Sequence, residues 1–387
     1  MFEQALRRLD ERHQRRYMRV VESSDGPLIS IDGRQVILLA SNDYLGLSRH
    51  PLLKQAAIEA TERYGVGSGA SRLISGTVPP HAELETALAE FKETEAALTF
   101  GSGYLANIGL IPALAHPGDV ILADRLCHAS LIDGCRLSGA EFRVFRHNDM
   151  GQLQRLLSKR SARTRTLIVT EGIFSMDGDA ASLPELATLS DRYEAALLVD
   201  DAHGTGVMGR HGRGTLEHFD VGSRIPFHMG TLGKAFGCSG AYVVGSADFI
   251  EYLVNVARSF IYSTAPPAAT AAAARAAIAV ARSEPERLVR LWRNRSYFVE
   301  GLARLGYRIS ASVSPIIPIQ IGDARTALAL SARLFDLGVF APAIRPPTVP
   351  KHTSRLRTTV TSEHTTEHLD TALAAFATAG RQVGLLA

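Results

Sequence analysis

The chain has 387 residues, 46% of them hydrophobic and 21% charged, with 42 Lys and Arg against 39 Asp and Glu. This is ordinary globular composition, and a near-neutral balance argues against a dedicated nucleic-acid binder, whose charge gathers into a strong basic patch. The three cysteines, Cys127, Cys135 and Cys238, form no CxxC pair, which argues against a disulfide framework and fits a reducing compartment.

The length suggests two or three domains. Residues 2–21 read as a charged helix with Leu6, Leu9, Tyr17 and Val20 available for contacts. They hold charges throughout and no apolar core, so they do not read as a secretory signal. Two apolar runs within 28–38 flank Asp32-Gly33, a hairpin signal. Pro51 is expected to open a helix. From about 96 to 244 short apolar runs alternate with helical stretches. The runs lie at 96–100, 120–123, 142–145, 166–170, 196–199 and 227–230. Consecutive apolar positions imply strands covered on both faces, so this region reads as α/β with a mostly parallel sheet. The alanine-rich stretch 265–281 is broken by Pro266, Pro267 and Arg275 and reads as a helix of a soluble protein, not a membrane span. The remainder reads as a small α+β unit, with helices at 288–305, 324–337 and 365–380 and extended segments at 316–321 and 355–361. The expected division is 1–48 for the N-terminal helix and hairpin, 49–283 for a large α/β domain and 284–387 for a small C-terminal domain. No membrane and no nucleic-acid partner is expected, and the location is expected to be cytoplasmic.

Four elements carry chemistry. Thr231-Leu232-Gly233-Lys234-Ala235-Phe236-Gly237 places a lysine between glycines just after a buried strand. A lone lysine is usually solvated. A partly desolvated one has a lowered pKa and can form a Schiff base with a carbonyl cofactor, and the glycines let a ring approach the backbone. Asp200-Asp201-Ala202-His203-Gly204-Thr205-Gly206 follows another buried strand, and ligands of open α/β sheets bind beyond such carboxyl ends. Asp200 there is placed to pair with a protonated ring nitrogen. Helix capping and a metal site are the other readings, and without a second ligand cluster no metal is expected. Gly101-Ser102-Gly103-Tyr104 joins a strand to a helix, a phosphate-binding arrangement that lacks the Gly-Lys-Ser/Thr ending of a nucleotide loop. His128 offers an imidazole that can stack on a flat cofactor; an isolated histidine of this kind is more often structural.

In this order, together with Glu171-Gly172-Ile173-Phe174-Ser175-Met176-Asp177-Gly178, Ser41-Asn42-Asp43-Tyr44-Leu45-Gly46-Leu47, Ile74-Ser75-Gly76-Thr77 and Phe260-Ile261-Tyr262-Ser263-Thr264, the elements resemble the α-oxoamine synthases. These are a branch of the fold-type I enzymes dependent on pyridoxal 5'-phosphate (PLP). The resemblance covers nearly the whole chain. It implies an α/β fold-type I PLP-dependent transferase with a smaller α+β C-terminal domain, acting as a homodimer with shared active sites. It implies Lys234 as the Schiff-base lysine, Asp200 as partner of the ring nitrogen, His128 as stacking residue, and His203 and Ser175 on the ring-hydroxyl side. Ser102, Gly103, Tyr104 and Thr231 would bind phosphate, joined by Thr264 from the neighbouring subunit. Asn42, Ser75, Arg357 and Arg16 would meet substrate, with Arg357 on the amino acid carboxylate, where a guanidinium gives bidentate geometry.

Ile344-Arg345-Pro346-Pro347-Thr348-Val349-Pro350 and Ser354-Arg355-Leu356-Arg357 resemble most the branch that condenses L-alanine with a pimeloyl thioester, losing carbon dioxide, in biotin synthesis. The thioester carrier is coenzyme A or an acyl carrier protein. Gly233 departs from the serine that many of these synthases have before the lysine. Sister synthases using glycine with acetyl- or succinyl-CoA, or serine with a long acyl chain, stay open. So do a PLP aminotransferase and a non-catalytic subunit; joint retention of Lys234, Asp200 and His203 speaks against the last.

Overall fold

The computed structural model describes residues 2–11, 14, 15, 17–161 and 163–386. The chain divides into two compact units, Asn42–Val289 and a smaller one made of Met1–Ser41 with Arg290–Ala387.

The larger unit is built on a seven-stranded sheet. Its strands are β1 (Ala96–Phe100), β2 (Val120–Asp124), β3 (Glu141–Phe145), β4 (Thr166–Glu171), β5 (Ala196–Asp200), β6 (Phe227–Thr231) and β7 (Ala241–Gly245). Their spatial order is β1-β7-β6-β5-β4-β2-β3. Neighbours from β6 to β3 run parallel, and β7 runs antiparallel to both β6 and β1. The carboxyl ends of β1, β2, β4, β5 and β6 therefore share one edge. The strands are apolar on both faces because helices cover both. Leu167, Val169 and Leu198 pack into a cluster with Leu110, Ile111 and Leu131. Ile168, Leu197 and Val199 point into the opposite cluster with Leu153, Leu183 and Leu186. The first cluster holds α1 (Gly103–Leu114) and α2 (Ala129–Leu137) against the sheet. At Gly134 a Cβ would stand 2.8 Å from the Asn107 carbonyl oxygen, so glycine lets the two helices meet closely.

The expected strands are present, and β7 is an addition that the alternation of runs did not reveal. It is a tight return from β6 rather than a crossover, so no helical stretch announces it. Helix Ala268–Ser283 realises the alanine-rich stretch.

The smaller unit contains the expected hairpin. Leu28–Ile31 pairs with Arg34–Leu38 around Asp32 and Gly33, both at positive φ (53° and 70°), the conformation that favours Asp-Gly turns. The first helix spans only Phe2–Glu11 and buries no side chain, so it lacks the packed face that sustains long helices. Val21, expected at the end of that helix, instead opens an extended strand, Val21–Asp25, paired with Leu28–Ile31. The expected separate N-terminal domain over residues 1–48 gives way to a different division. Val339–Phe340 pairs in parallel with Ile37 and Leu38, and these ladder bonds tie the hairpin to the C-terminal segment. A second sheet, Ile316–Gly322, Ser354–Thr359 and Ala343–Ile344, completes this unit. Among the described residues, no helix is long and apolar enough to cross a membrane.

The loop from β6 to β7 holds Lys234 through backbone bonds Leu232 N to Gly240 O (2.9 Å), Cys238 N to Leu232 O (2.9 Å) and Gly237 N to Lys234 O (2.8 Å). Gly237 has φ +63°, and a Cβ there would lie 2.2 Å from the Ser48 backbone nitrogen. Gly237→Ala is therefore expected to destabilise the protein by about 2 kcal/mol or more, combining positive-φ strain with a backbone clash. Urea unfolding measures it, and an unchanged midpoint would mean that the loop relaxes freely.

Candidate active site

Two carboxylates end two adjacent strands. Glu171 closes β4, Asp200 closes β5, and the register sets them side by side. Both are buried, at 3% and 6% exposure. Asp200 Oδ2 accepts from Asn107 Nδ2 (2.8 Å) and Oδ1 from Ala202 N (3.0 Å). Asn107 is a lone polar residue on apolar α1, and it also donates to Ser130 Oγ (2.9 Å). Ser130 Oγ stands 2.8 Å from His128 Nδ1, and Ser130 N donates to the same nitrogen at 3.2 Å. His128 thereby caps α2, with its side chain otherwise exposed. A continuous line of bonds runs from an exposed imidazole to a buried carboxylate.

Glu171 Oε1 accepts from His128 N (2.6 Å), and the Ser175 backbone also donates to this carboxylate. Burial and the neighbouring Asp200 charge push its pKa from 4.5 up to about 8, against the lowering influence of Lys234 and the two backbone donors. The half-buried Lys234 thus faces a carboxylate pair. On the same edge His203 is buried, and its Nδ1 lies 2.8 Å from Tyr44 Oη. Tyr44 Oη is also 3.4 Å from Asn42 Oδ1, which brings Asn42 into this cluster.

Asp201, one residue on, turns to the other face. Its carboxylate accepts from Thr215 N and Oγ1 (2.6 Å for the latter) and lies 3.7 Å from Lys92 Nζ. Burial pulls Lys92 down and pushes Asp201 up, each against the attraction of its partner. Cβ atoms at Gly172, Gly204 and Gly214 would come within 2.5 Å, 2.0 Å and 1.8 Å of this carboxylate, so only glycines leave room for it.

The start of α1 supplies an anion cradle. Ser102 Oγ accepts from Leu105 N (3.2 Å), and the N–H groups at Gly103 and Tyr104 precede the helical ladder. Tyr104 contributes its backbone here, because its hydroxyl donates to Asp133 Oδ2 (2.5 Å). Thr231 Oγ1 donates to Gly240 O (3.0 Å) and accepts from Gly233 N (3.2 Å). At Gly233 a Cβ would meet nothing closer than 3.5 Å, so packing does not enforce the glycine. Thr264 bridges to Ser71 and lines a pocket with Gly101 and Gly240 of its own chain.

Other expected residues lie elsewhere. Ser75 is exposed on the short π-helical turn Arg72–Gly76, which Arg72 anchors to Glu85 at 2.9 and 3.0 Å. Arg357 is buried on Ser354–Thr359 in the smaller unit. Arg16 lies outside the described residues. Among the described residues, no group of three His, Cys, Asp or Glu side chains is placed to hold a metal ion. Sequence reasoning assigned no role to Asn107, Ser130, Glu171 or Tyr44. A single asparagine in an apolar helix and a glutamate ending an apolar strand were the available signals.

The pattern described as aminotransferase class I and II matches residues 34–376. The 8-amino-7-oxononanoate synthase of Geobacter sulfurreducens is 51% identical over 383 residues, covering 98% of each chain. That of Thermoanaerobacter pseudethanolicus is 50% identical over 373 residues, covering 96% of this chain and 94% of its own. A solved serine palmitoyltransferase variant from S. paucimobilis, with PLP and myriocin bound, matches with a TM-score of 0.95 at 33% identity, covering 100% of this chain and 98% of its own.

Because the folded chain raises the Glu171 pKa, the stability this group contributes is full below 4.5 and lost as pH rises through about 8. Gln at 171 keeps an acceptor for His128 N and cannot ionise. Glu171→Gln is therefore expected to flatten the fall in stability of the cofactor-free protein between about pH 5 and about pH 9. Urea titrations across that range test it, and parallel pH profiles for the two proteins would contradict the assignment.

Proposed function

Since this chain belongs to the α-oxoamine synthase branch of the class I and II aminotransferases, we propose that it is a PLP-dependent 8-amino-7-oxononanoate synthase. It condenses L-alanine with a pimeloyl thioester, releasing carbon dioxide and the free thiol carrier, in biotin synthesis. The observation that carries the cofactor assignment is the buried Asp200, held by Asn107 on the edge that also bears the Lys234 loop. The donor set fits PLP: a buried carboxylate for the ring nitrogen, a primary amine on a glycine-flanked loop, and a helix start for the phosphate.

When bound, PLP supplies an electron sink next to the amino acid Cα. Asp200 holds the proton on the ring nitrogen, and Asn107 keeps its carboxylate oriented. His128 covers the ring face, its orientation set by Ser130. His203, steadied by Tyr44, and Ser175 bind the ring-hydroxyl side. Ser102, the N–H groups of Gly103 and Tyr104, and Thr231 bind the phosphate. Lys234 Nζ anchors the cofactor, takes the Cα proton of L-alanine and later returns a proton to the product carbon. By the family resemblance, Arg357 would receive the alanine carboxylate, and Asn42, Ser75 and Arg16 would meet substrate. A bond forms between Cα and the acyl carbonyl carbon, the thiolate leaves, and the carboxylate departs as carbon dioxide.

The chain acts as a homodimer in which Thr264 reaches the partner's phosphate site. In support, Leu73, Ile74 and Tyr262 are exposed beside the Ser71–Thr264 bridge, an apolar group of the kind that subunit contacts cover. The donor is pimeloyl-CoA or the acyl carrier protein thioester, and the enzyme works in the cytoplasm. A sister reading, serine with a long acyl chain, is favoured by the likeness to serine palmitoyltransferase, but the synthases at about half identity favour alanine and pimelate.

The purified enzyme with PLP, L-alanine and pimeloyl-CoA is expected to release thiol and carbon dioxide and to give a product with the mass of 8-amino-7-oxononanoate. Thiol release only with serine and palmitoyl-CoA would move it to the sister activity. Lys234→Ala should lower kcat by about three orders of magnitude or more, the scale of a lost general base that is also the anchor. Asp200→Asn should lower turnover about 100-fold or more without unfolding the protein. Near-native turnover in either variant would contradict the role given to that residue.

A further inference from the structure

Three loops follow β2, β3 and β4 at the carboxyl edge. The first, 125–128, delivers His128, and the third, 172–180, carries Ser175. The second brings His147. Its Nδ1 lies 3.1 Å from Asp124 Oδ1, and its Nε2 lies 2.7 Å from Asp179 Oδ2. Two carboxylates on the two ring nitrogens require both to donate, which only the imidazolium does. Its ring stands edge-on to Phe174, with centroids 4.4 Å apart.

Each aspartate shapes one of the flanking loops. Asp124, the last residue of β2, also accepts from Leu126 N (2.8 Å) and Asn148 N (2.9 Å), and its carbonyl accepts from Cys127 N (3.1 Å). These bonds set the turn that ends at His128. Asp179 belongs to a compact excursion in which Phe174 N donates to Asp179 O (2.9 Å) and Gly178 N to Phe174 O (2.8 Å). Ser175 sits within it. Asn148 adds a bond from Nδ2 to Ala180 O (3.0 Å). On the core side Glu171 already receives the backbone N–H groups of His128 and Ser175.

We propose that His147 is a positioning residue for the PLP site, a cationic strap that holds the His128 loop and the Ser175 loop at a fixed separation from outside, opposite Glu171. The proposal rests on the reading of the site given above. Burial works against the charge on His147, but the hydrogen bonds and charges of Asp124 and Asp179 outweigh it and raise its pKa to about 10. The strap is therefore charged at neutral pH. It touches neither substrate nor cofactor in this scheme and acts through the two residues it spaces.

The test compares the parent enzyme with His147→Gln, which keeps one neutral donor, and Asp179→Asn, which keeps the imidazole and removes one charge. PLP affinity is measured by titration of the apo-protein, the visible band of the lysine-bound cofactor is followed against pH, and kcat and KM for the thioester are determined separately. Both variants are expected to bind PLP about 10- to 100-fold more weakly, the scale of one lost charge-assisted hydrogen bond. They should show a displaced pH midpoint of the visible band and a lower kcat with thioester KM within about threefold. Native PLP affinity and a native band in a folded His147→Gln overturn the proposal, even if its melting temperature falls. If His147→Gln does not fold, the same readings on Asp179→Asn decide it. A parent enzyme that forms no Lys234-dependent band overturns the site reading itself, whereas a normal parent band with unaffected variants overturns only the strap.

Discussion

Two acidic side chains, Glu171 and Asp200, end neighbouring parallel strands about 4.8 Å apart in a region without bulk water. Like charges so placed cannot both be ionised cheaply, since neither solvent nor distance separates them. The surrounding structure answers this constraint. Asp200 is given two neutral donors, the Asn107 amide and the Ala202 N–H. Glu171 is given two backbone donors, yet burial and its neighbour still hold a proton on it past the usual carboxylate range. One edge therefore offers two carboxylates side by side, of which Glu171 keeps its proton into the neutral range, with Lys234 close enough to act on it.

The same constraint explains the line of bonds to His128. A donor for Asp200 has to come from the helix covering that face, and Asn107 is the polar residue α1 places there. Asn107 has a second amide hydrogen, which passes to Ser130, and Ser130 in turn faces the imidazole. Orientation of Asp200 and of His128 is thus one problem with one solution, carried by two short polar side chains between α1 and α2.

Much of this was legible in the sequence and some was not, for physical reasons. The parallel strands were visible because burial on both faces leaves continuous apolar runs, and the Asp32-Gly33 hairpin because its backbone geometry restricts the residues that fit. Lys234, Asp200, His203 and His128 stood out as chemistry-bearing groups following buried runs. The reversed β7 was hidden, since an apolar strand has no direction in its composition. The joining of the N-terminal hairpin to the C-terminal segment was hidden too, because a parallel ladder between residues about 300 positions apart leaves no local trace. Asn107, Glu171 and Tyr44 were written inside the motifs, but their roles depend on partners brought in by other elements. Ser75, Arg16 and Arg357 rest on family resemblance for their roles.

The adjacent aspartates at the end of β5 divide their labour by parity. Asp200 shares the face of Leu198 and meets the helix that carries Asn107, while Asp201 shares the face of Leu197 and Val199 and is caged by glycines beside Lys92. Alternation along a strand makes these assignments exclusive. Natural variation in this region can therefore proceed by exchange of one apolar residue for another but not by a change in length. Insertion of a single residue in β5 would carry Asp200 into the glycine cage, and deletion of one would carry Asp201 to the Asn107 face, so either event takes one of the two carboxylates away from the partners built for it.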